Sequence, residues 1–313
     1  MRIFGAILAG LFGLAFGSFL NVCLSRWASG ESIVHPRSHC RSCLSTLTWW
    51  ENIPLVSYLF LRGRCRTCGV AIGIRYLLVE LAVGFLWTLE AWRSLPAMLS
   101  PATPVAVLWF QASITVGFML FFWILIALAV LDAEHLWLPD RLTWPGIAAG
   151  LLASIAWLVA ALRLSHQYEF PTSLPLSLRA FDPFGGLFAG GSLASPVLLL
   201  LAAPVFTAAP LLLIRWLYSL IRRREGLGLG DVKLAALLGA WLGLPCALLA
   251  LFIGVVLGGA AAVVFLLMPK PDGHPGSLAT ARLPLGTFLS IGGIVSALWG
   301  QPFVEAYLRF ARF

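Results

Sequence analysis

Two aspartates stand where apolar runs of this sequence meet polar segments. Asp132 ends one apolar run, and Asp231 opens another, directly after alternating glycines at 226, 228 and 230. Two carboxylates that lie close together share one proton, so one acts as a general base and the other as a general acid at the same pH. Such a pair activates water against a peptide carbonyl without a covalent intermediate. The pattern therefore predicts Asp132 and Asp231 as a catalytic pair.

Three further residues are predicted to support this pair. Gly228 and Gly230 permit backbone conformations that other residues avoid, and we expect them to let an extended substrate strand lie close to the acid. Lys233 is one of only two lysines; it either pairs with a carboxylate or extends its ammonium to the membrane interface. The alternative for the two aspartates is helix capping, because Asp is a favoured N-cap residue. Asp140, which follows a proline, has the clearest capping pattern.

Four of the six cysteines form two C-x-x-C pairs, Cys40 with Cys43 and Cys65 with Cys68. Two such pairs at this separation are typical of a zinc ribbon, in which each pair offers two thiolates to one tetrahedral ion. A site closed by four sulfur ligands is structural rather than catalytic. The alternative is two redox pairs or thiols without a ligand.

The composition predicts a membrane protein that crosses the bilayer several times. Of the 313 residues, 60% are hydrophobic and 11% are charged, whereas a soluble domain has roughly a quarter of its residues charged. The net charge of +8 comes from arginines placed between apolar runs. Retention of basic loops in the cytoplasm explains that placement, so we expect a lipid bilayer and no nucleic acid as partner. Nothing in the composition specifies an oligomeric state.

The apolar runs predict an all-α fold with about eight transmembrane helices. Segment 25–75 carries seven arginines, which places it in the cytoplasm, and alternation of the spans puts Asp132 and Asp231 on that same side. We predict a first transmembrane helix at 1–24, a cytoplasmic tetracysteine loop at 25–75 and a transmembrane catalytic domain at 76–313. The apolar runs are 3–24, 76–92, 105–131, 142–163, 193–220, 232–244, 246–268 and 284–300.

Several motifs together give the chain a specific resemblance. It resembles the bacterial type IV prepilin peptidases, which are bifunctional leader peptidases and N-methyltransferases. The matching blocks are Gly17-Ser18-Phe19-Leu20-Asn21-Val22, the four cysteines, Asn52-Ile53-Pro54-Leu55-Val56-Ser57-Tyr58, Leu61-Arg62-Gly63-Arg64-Cys65, Arg75-Tyr76-Leu77-Leu78-Val79-Glu80, Asp132 through Asp140, and Gly228-x-Gly230-Asp231-x-Lys233.

The resemblance implies an integral aspartyl protease of the Gly-x-Gly-Asp type in the bacterial inner membrane. It would cleave the basic leader from prepilins and pseudopilins at the cytoplasmic face. It would then methylate the new amino terminus with S-adenosylmethionine. Asp132 and Asp231 correspond to the catalytic pair, and the tetracysteine loop belongs to the methylating part, with zinc as a structural ion.

Some positions depart from the family pattern. Gly73 stands where serine is frequent, and Leu77 where proline is frequent. The late motif Pro-Phe-Gly-Pro is here Pro-Leu-Gly-Thr, at 284–287. No glycine-rich nucleotide-binding unit of the doubly wound kind is visible, so no motif places the S-adenosylmethionine site.

Two other classes of function account for part of the pattern. In a transporter, the acidic pair would serve as a proton relay. Both aspartates would then lie in the middle of membrane spans, whereas in this sequence they border polar segments. In a membrane scaffold, the zinc loop would dock a partner, which leaves the glycine-flanked Asp231 without a role. Cleavage of a leader-bearing prepilin by the purified protein separates these classes from a peptidase.

Overall fold

A computed structural model describes residues 1–100, 103–167, 194–223, 227–267 and 283–311, and its regular secondary structure is helical. Within these ranges, pairing between strands is limited to two isolated β-bridges. One turn of 3₁₀ helix, Trp50–Asn52, lies between the first two helices. The helices are α1 Arg2–Ser29, α2 Val56–Phe60, α3 Arg75–Met98, α4 Val105–His135, α5 Asp140–Gln167, α6 Ala194–Arg222, α7 Leu229–Leu267 and α8 Leu285–Ala311.

Six helices in the described ranges are long and apolar enough to cross a membrane: α1, α4, α5, α6, α7 and α8. This confirms an all-α protein that crosses the membrane several times. The prediction of about eight spans is approximate, for two reasons. Helix α3, predicted as a span, is not among the six. Helix α7 counts once, although two spans were predicted within it.

Helix α7 reverses direction at Gly243, where φ is 71° and ψ is 167°. Near the start of α7, Gly230 packs against Leu138. Near the end of α7, Gly258 packs against Leu285 in the first turn of α8. That turn of α8 also lies beside Leu138. A straight helix would separate residues 230 and 258 by about 42 Å. The two predicted apolar runs that meet at this point are therefore two antiparallel limbs of α7.

The chain divides into two compact units, Met1–Ala127 and Leu128–Phe313, with the boundary inside α4. In the first unit, α1 packs along α3 through glycines. A Cβ atom on Gly13 would lie 2.9 Å from the Cα atom of Gly84, and one on Gly17 would lie 2.8 Å from the Cα atom of Glu80. Small residues of this kind let two membrane helices approach backbone to backbone.

In the second unit, α7 packs against α5, α6 and α8. Side-chain hydrogen bonds to backbone carbonyls connect these helices. The Trp241 indole donates to the Gly146 carbonyl at 2.9 Å. The Ser296 hydroxyl donates to the Cys246 carbonyl at 2.6 Å. Polar groups in lipid-embedded helices bond across helices in this way because no water is present to satisfy them.

We predict that Gly13→Ile destabilises the first unit by about 1–3 kcal/mol, the usual cost of overpacking. The isoleucine would push α1 away from α3. The measurement is the unfolding midpoint of the purified protein in detergent. Leu11→Ile is the matched control, because Leu11 lies on the same helix and is 57% exposed. Equal midpoints for the two variants would contradict the glycine-mediated packing.

Candidate active site and metal centre

Asp132 lies in the last turns of α4, and its side chain accepts hydrogen bonds from the start of α8. The residue is 6% exposed. Its Oδ2 atom accepts the Thr287 N–H at 2.8 Å, and its carboxylate also accepts the Gly286 N–H. The first amides of a helix have no partner within that helix. Asp132 therefore caps α8 from a different helix, and it does not cap the helix that follows it in sequence.

Asp231 lies in the first turn of α7, where its carboxylate accepts the N–H of Gly228 just before the helix. An acidic side chain that reaches back to the residue before the helix makes half of a capping box. Asp132 lies within electrostatic range of Asp231. The structure thus brings the two predicted carboxylates together where α7 and α8 begin.

Space requires glycine at position 230 but not at position 228, where a Cβ atom would come no closer than 3.4 Å to Asp231. Gly228 and Gly230 do not have positive φ values, so the expected conformational freedom is not used at either position. A Cβ atom on Gly230 would lie 2.9 Å from the Cβ atom of Leu138. Gly226, the third glycine of the pattern, lies outside the described residues.

Gly286 and Thr287 are site residues that the sequence reasoning missed. A Cβ atom on Gly286 would lie 3.0 Å from the Asp132 carboxylate carbon and 2.9 Å from a Leu138 methyl group. The Thr287 hydroxyl donates to the Ala129 carbonyl at 2.9 Å, which ties α8 to α4. The available signal was the late motif at 284–287, which was noted only for its departures from the family pattern.

Helix α4 ends at His135, three residues after Asp132, because Leu136 adopts a left-handed conformation. Its φ is 50°, and its N–H donates to the Asp132 carbonyl at 2.9 Å. This geometry is a common helix C-cap, although glycine usually occupies it. The turn directs the chain so that Leu138 is buried beside Gly230 and Gly286.

Lys233 pairs with Asp140 rather than with either carboxylate of the candidate pair. Its ammonium also lies 5.9 Å from the ring centroid of Trp144. Asp140 begins α5, so the ion pair connects the first turns of α5 and α7. A supporting role for Lys233 would therefore be to position α7.

The four predicted metal ligands lie together in the first unit. Their sulfur atoms all lie within 4.8 Å of one another, and the Cys40 and Cys68 sulfurs are 3.8 Å apart. Zinc–sulfur bonds of about 2.3 Å in a tetrahedron place the sulfurs about 3.8 Å apart. Hydrogen bonds with Ser45 lower the pKa of the Cys43 thiol to about 6, whereas burial and hydrogen bonds with the other three cysteines raise the pKa of Cys68 to about 11, so Cys43 is the thiol best prepared to bind a metal as a thiolate. The residues present fit a zinc ion.

The two C-x-x-C segments have equivalent backbone structures. In each, the N–H of the first cysteine donates to the carbonyl five residues later: Cys40 to Ser45 at 2.9 Å and Cys65 to Val70 at 2.8 Å. The residue after the second cysteine has a positive φ in both, 59° and 72°. This short internal repeat was missed in the sequence, although both segments read Cys-Arg-Ser/Thr-Cys.

Comparisons with known proteins identify the class of protein that this fold and these sites define. Residues 11–94 match the bacterial peptidase A24 N-terminal domain. Residues 119–263 match the type IV leader peptidase family. The first match contains the four cysteines, and the second contains both aspartates. No solved structure matches the chain.

The relatives found by sequence comparison extend over almost the whole chain. The prepilin leader peptidase/N-methyltransferase of Pseudomonas aeruginosa is 33% identical over 97% of this chain and 93% of the relative. That of Dichelobacter nodosus is 32% identical over 98% and 96%, and that of Klebsiella pneumoniae is 34% identical over 74% and 83%. The chain belongs to the type IV leader peptidase family, which confirms the resemblance drawn from its motifs.

We predict that Gly286→Ala lowers the rate of prepilin cleavage by roughly 10²-fold, the effect of displacing a catalytic group by about 1 Å. The added methyl group would meet the Asp132 carboxylate. The control is Gly259→Ala, because a Cβ atom at Gly259 meets nothing within 4 Å. The measurement is the initial cleavage rate with purified protein. Equal rates for the two variants would show that Gly286 does not set the position of Asp132.

We also predict about one zinc ion per chain, lost when Cys40, Cys43, Cys65 or Cys68 is replaced by serine. Loss of one thiolate leaves the tetrahedral site open, so the tetracysteine loop should become sensitive to proteases. Metal analysis of protein purified without chelators makes the measurement. Cys23→Ser is the control, because Cys23 is buried on α1 and is not one of the cluster. Absence of zinc from the wild-type protein would refute the assignment.

Proposed function

We propose that this protein is a membrane-embedded aspartyl peptidase that removes the leader from type IV prepilins and pseudopilins and then methylates the new amino terminus. The observation that carries the proposal is the convergence of Asp132 and Asp231 at the first turns of two helices, within the segment that matches the peptidase family. The names of the relatives support both activities.

The proposed peptidase step uses the two carboxylates in complementary protonation states. One, ionised, takes a proton from water while the water oxygen attacks the peptide carbonyl carbon. The other, protonated, gives its proton to the carbonyl oxygen and so stabilises the developing charge. Proton transfer to the leaving amine then completes cleavage. The helix amides that bind Asp132 and Asp231 hold both carboxylates in place for these transfers.

We further propose that the protein lies in the bacterial inner membrane with this site facing the cytoplasm. The arginines of segment 25–75 support that orientation, because basic loops are retained on the cytoplasmic side. The protein's partners in this proposal are the pilin precursors and the bilayer, and nucleic acid is not among them. When α3 is counted as a span, as the sequence predicts, alternation of the spans puts both aspartates on the side of the arginine-rich loop, which supports this orientation.

Methylation is proposed to depend on the first unit. S-adenosylmethionine supplies an electrophilic methyl group when it is bound. Zinc on the four cysteines would hold the loop 25–75 in its folded form and take no part in chemistry, because four protein ligands leave it no open position. In this proposal, 1–24 is the first membrane helix, 25–75 serves methylation together with the start of α3, and the remainder of 76–313 serves cleavage.

We predict that Asp132→Asn and Asp231→Asn each lower cleavage by at least about 10²–10⁴-fold, because each removes half of an acid–base pair. Asparagine keeps the size of the side chain, so membrane insertion should be normal. The measurement is conversion of a leader-bearing prepilin to its shortened product by purified protein.

Glu134→Gln and Asp140→Asn provide the controls and should have much milder effects. Both carboxylates are near Asp132 in sequence, but Asp140 pairs with Lys233 and Glu134 lies 3.9 Å from the ring of His135. Full cleavage activity in either Asp132→Asn or Asp231→Asn would overturn the proposed mechanism.

A further inference from the structure

A cavity of about 640 Å³ lies within the first unit. Its volume is in the range of sites that bind small molecules, about 300–1,000 Å³. The tetracysteine loop, α1 and α3 all contribute to the lining. It includes Asn21 from α1, Tyr76 and Glu80 from α3, and the zinc-ligand candidates Cys40 and Cys65.

Asn21 presents an unmatched hydrogen-bond acceptor in this lining. The residue is 2% exposed. Its amide nitrogen donates to the Tyr76 carbonyl at 2.8 Å, which fixes the orientation of the amide group. Its amide oxygen is buried and accepts no hydrogen bond from the residues that the structure describes. A buried polar atom without a partner is costly, so a ligand that brings a donor to this oxygen would be stabilised.

Glu80 adds a buried carboxyl group to the same lining. It is 8% exposed and accepts hydrogen bonds from the Leu55 N–H at 2.9 Å and from the Ser18 side chain. Both donors are neutral groups. Leu55 has a φ of 59°, an uncommon conformation for a leucine. The protein therefore holds this carboxyl group in a defined position through hydrogen bonds with neutral donors.

These two residues specify the chemistry of the ligand. A carboxylate and an amide oxygen are both acceptors, so they select a cationic group with several N–H donors, such as a primary ammonium. The ring of Tyr58 in the lining also favours a cation, whereas the ring of Tyr76 already faces the Arg75 guanidinium at 4.7 Å. Arg41, in the same lining, has the opposite charge to Glu80, which suits an amino-acid group carrying both charges.

We propose that this cavity is the methyl-donor site, in which Asn21 and Glu80 accept hydrogen bonds from the α-ammonium group of S-adenosylmethionine. This inference rests on the proposed methylation activity and gives that activity a location. It also gives the tetracysteine loop a role, because the loop supplies Cys40, Cys65 and neighbouring residues to the wall of the cavity. Loss of zinc would then remove the wall rather than a catalytic group.

The test measures binding of S-adenosylhomocysteine, which has the α-ammonium group but no methyl to transfer, to the purified full chain by calorimetry. We expect Glu80→Gln to weaken binding roughly tenfold or more, because it replaces a charged acceptor with a neutral one. Glutamine still accepts hydrogen bonds from Leu55 and Ser18. Glu90→Gln is the matched control, since Glu90 lies on the same helix outside the cavity lining.

A second pair of variants tests the amide oxygen independently. Asn21→Leu removes the unmatched acceptor at nearly constant volume and should also weaken binding roughly tenfold. Gln111→Leu is its control, because Gln111 likewise has a buried amide oxygen without a partner but does not line the cavity. Unchanged affinity in both Glu80→Gln and Asn21→Leu would overturn the placement. An equal loss in the two controls would also overturn it.

A separate arm measures binding of a peptide with the amino terminus of a cleaved pilin, since it too carries a primary ammonium. If the cavity variants weaken only peptide binding, the cavity holds the methyl acceptor and the inference is wrong.

Cleavage assays distinguish failure of this inference from failure of the proposed function. Asp231→Asn should lose cleavage and bind S-adenosylhomocysteine as tightly as the wild type. A wild-type protein that binds this compound but cleaves no prepilin would overturn the proposed peptidase and leave the cavity assignment standing.

Discussion

The amides at the start of α8 have no carbonyl partners in their own helix, and the carboxylate of Asp132 on α4 satisfies them. The residue types at several positions around the site in the second unit are constrained by this hydrogen bond between α4 and α8. Gly286 must lack a side chain, because a Cβ atom would meet that carboxylate. The turn after α4 must bury Leu138 in the remaining space, and Gly230 must then be equally small. Asp231, one residue further, is bound in turn by the amide of Gly228. Each carboxylate is thus fixed by backbone groups, which cannot rotate away as side-chain donors can.

A different constraint shapes the first unit, where the glycines of α1 let it lie directly on the backbone of α3. That contact places Asn21 of α1 beside the first turn of α3 and Glu80 within reach of Ser18. The tetracysteine loop completes the unit, and its second C-x-x-C segment is held by an ion pair between Arg66 and Glu51 at 3.2 Å. Hydrogen bonds from Thr48, together with Arg66, keep the pKa of Glu51 below its usual value. The loop is therefore fastened both by its sulfur cluster and by a carboxylate that stays ionised in mildly acidic conditions.

Local pattern was sufficient to predict much of this structure. Apolar runs gave the helices, including the break that Gly243 makes in α7, and the C-x-x-C spacing gave the sulfur cluster. Long-range contacts could not be predicted in the same way. The hydrogen bond between Thr287 and Asp132 joins residues that are 155 positions apart. Lys233 forms its ion pair with Asp140, although the sequence offers several other carboxylates. The need for glycine at 230 was recognised, but its reason is the nearby Leu138, which only the folded chain reveals. The unmatched oxygen of Asn21 is likewise a property of packing and leaves no trace in the sequence.

The reversal of α7 at Gly243 has a consequence for how the protein sits in lipid. The limb from Leu229 to Leu242 is about 21 Å long, whereas the hydrocarbon layer of a bilayer is about 30 Å thick. One end of this limb, either the turn or Asp231, therefore lies at the depth of the acyl chains. The turn tolerates such a depth because Leu242 and Cys246 beside it are buried in protein. Bilayer thickness thus sets how deep in the hydrocarbon layer the turn at Gly243 or the carboxylate of Asp231 must lie.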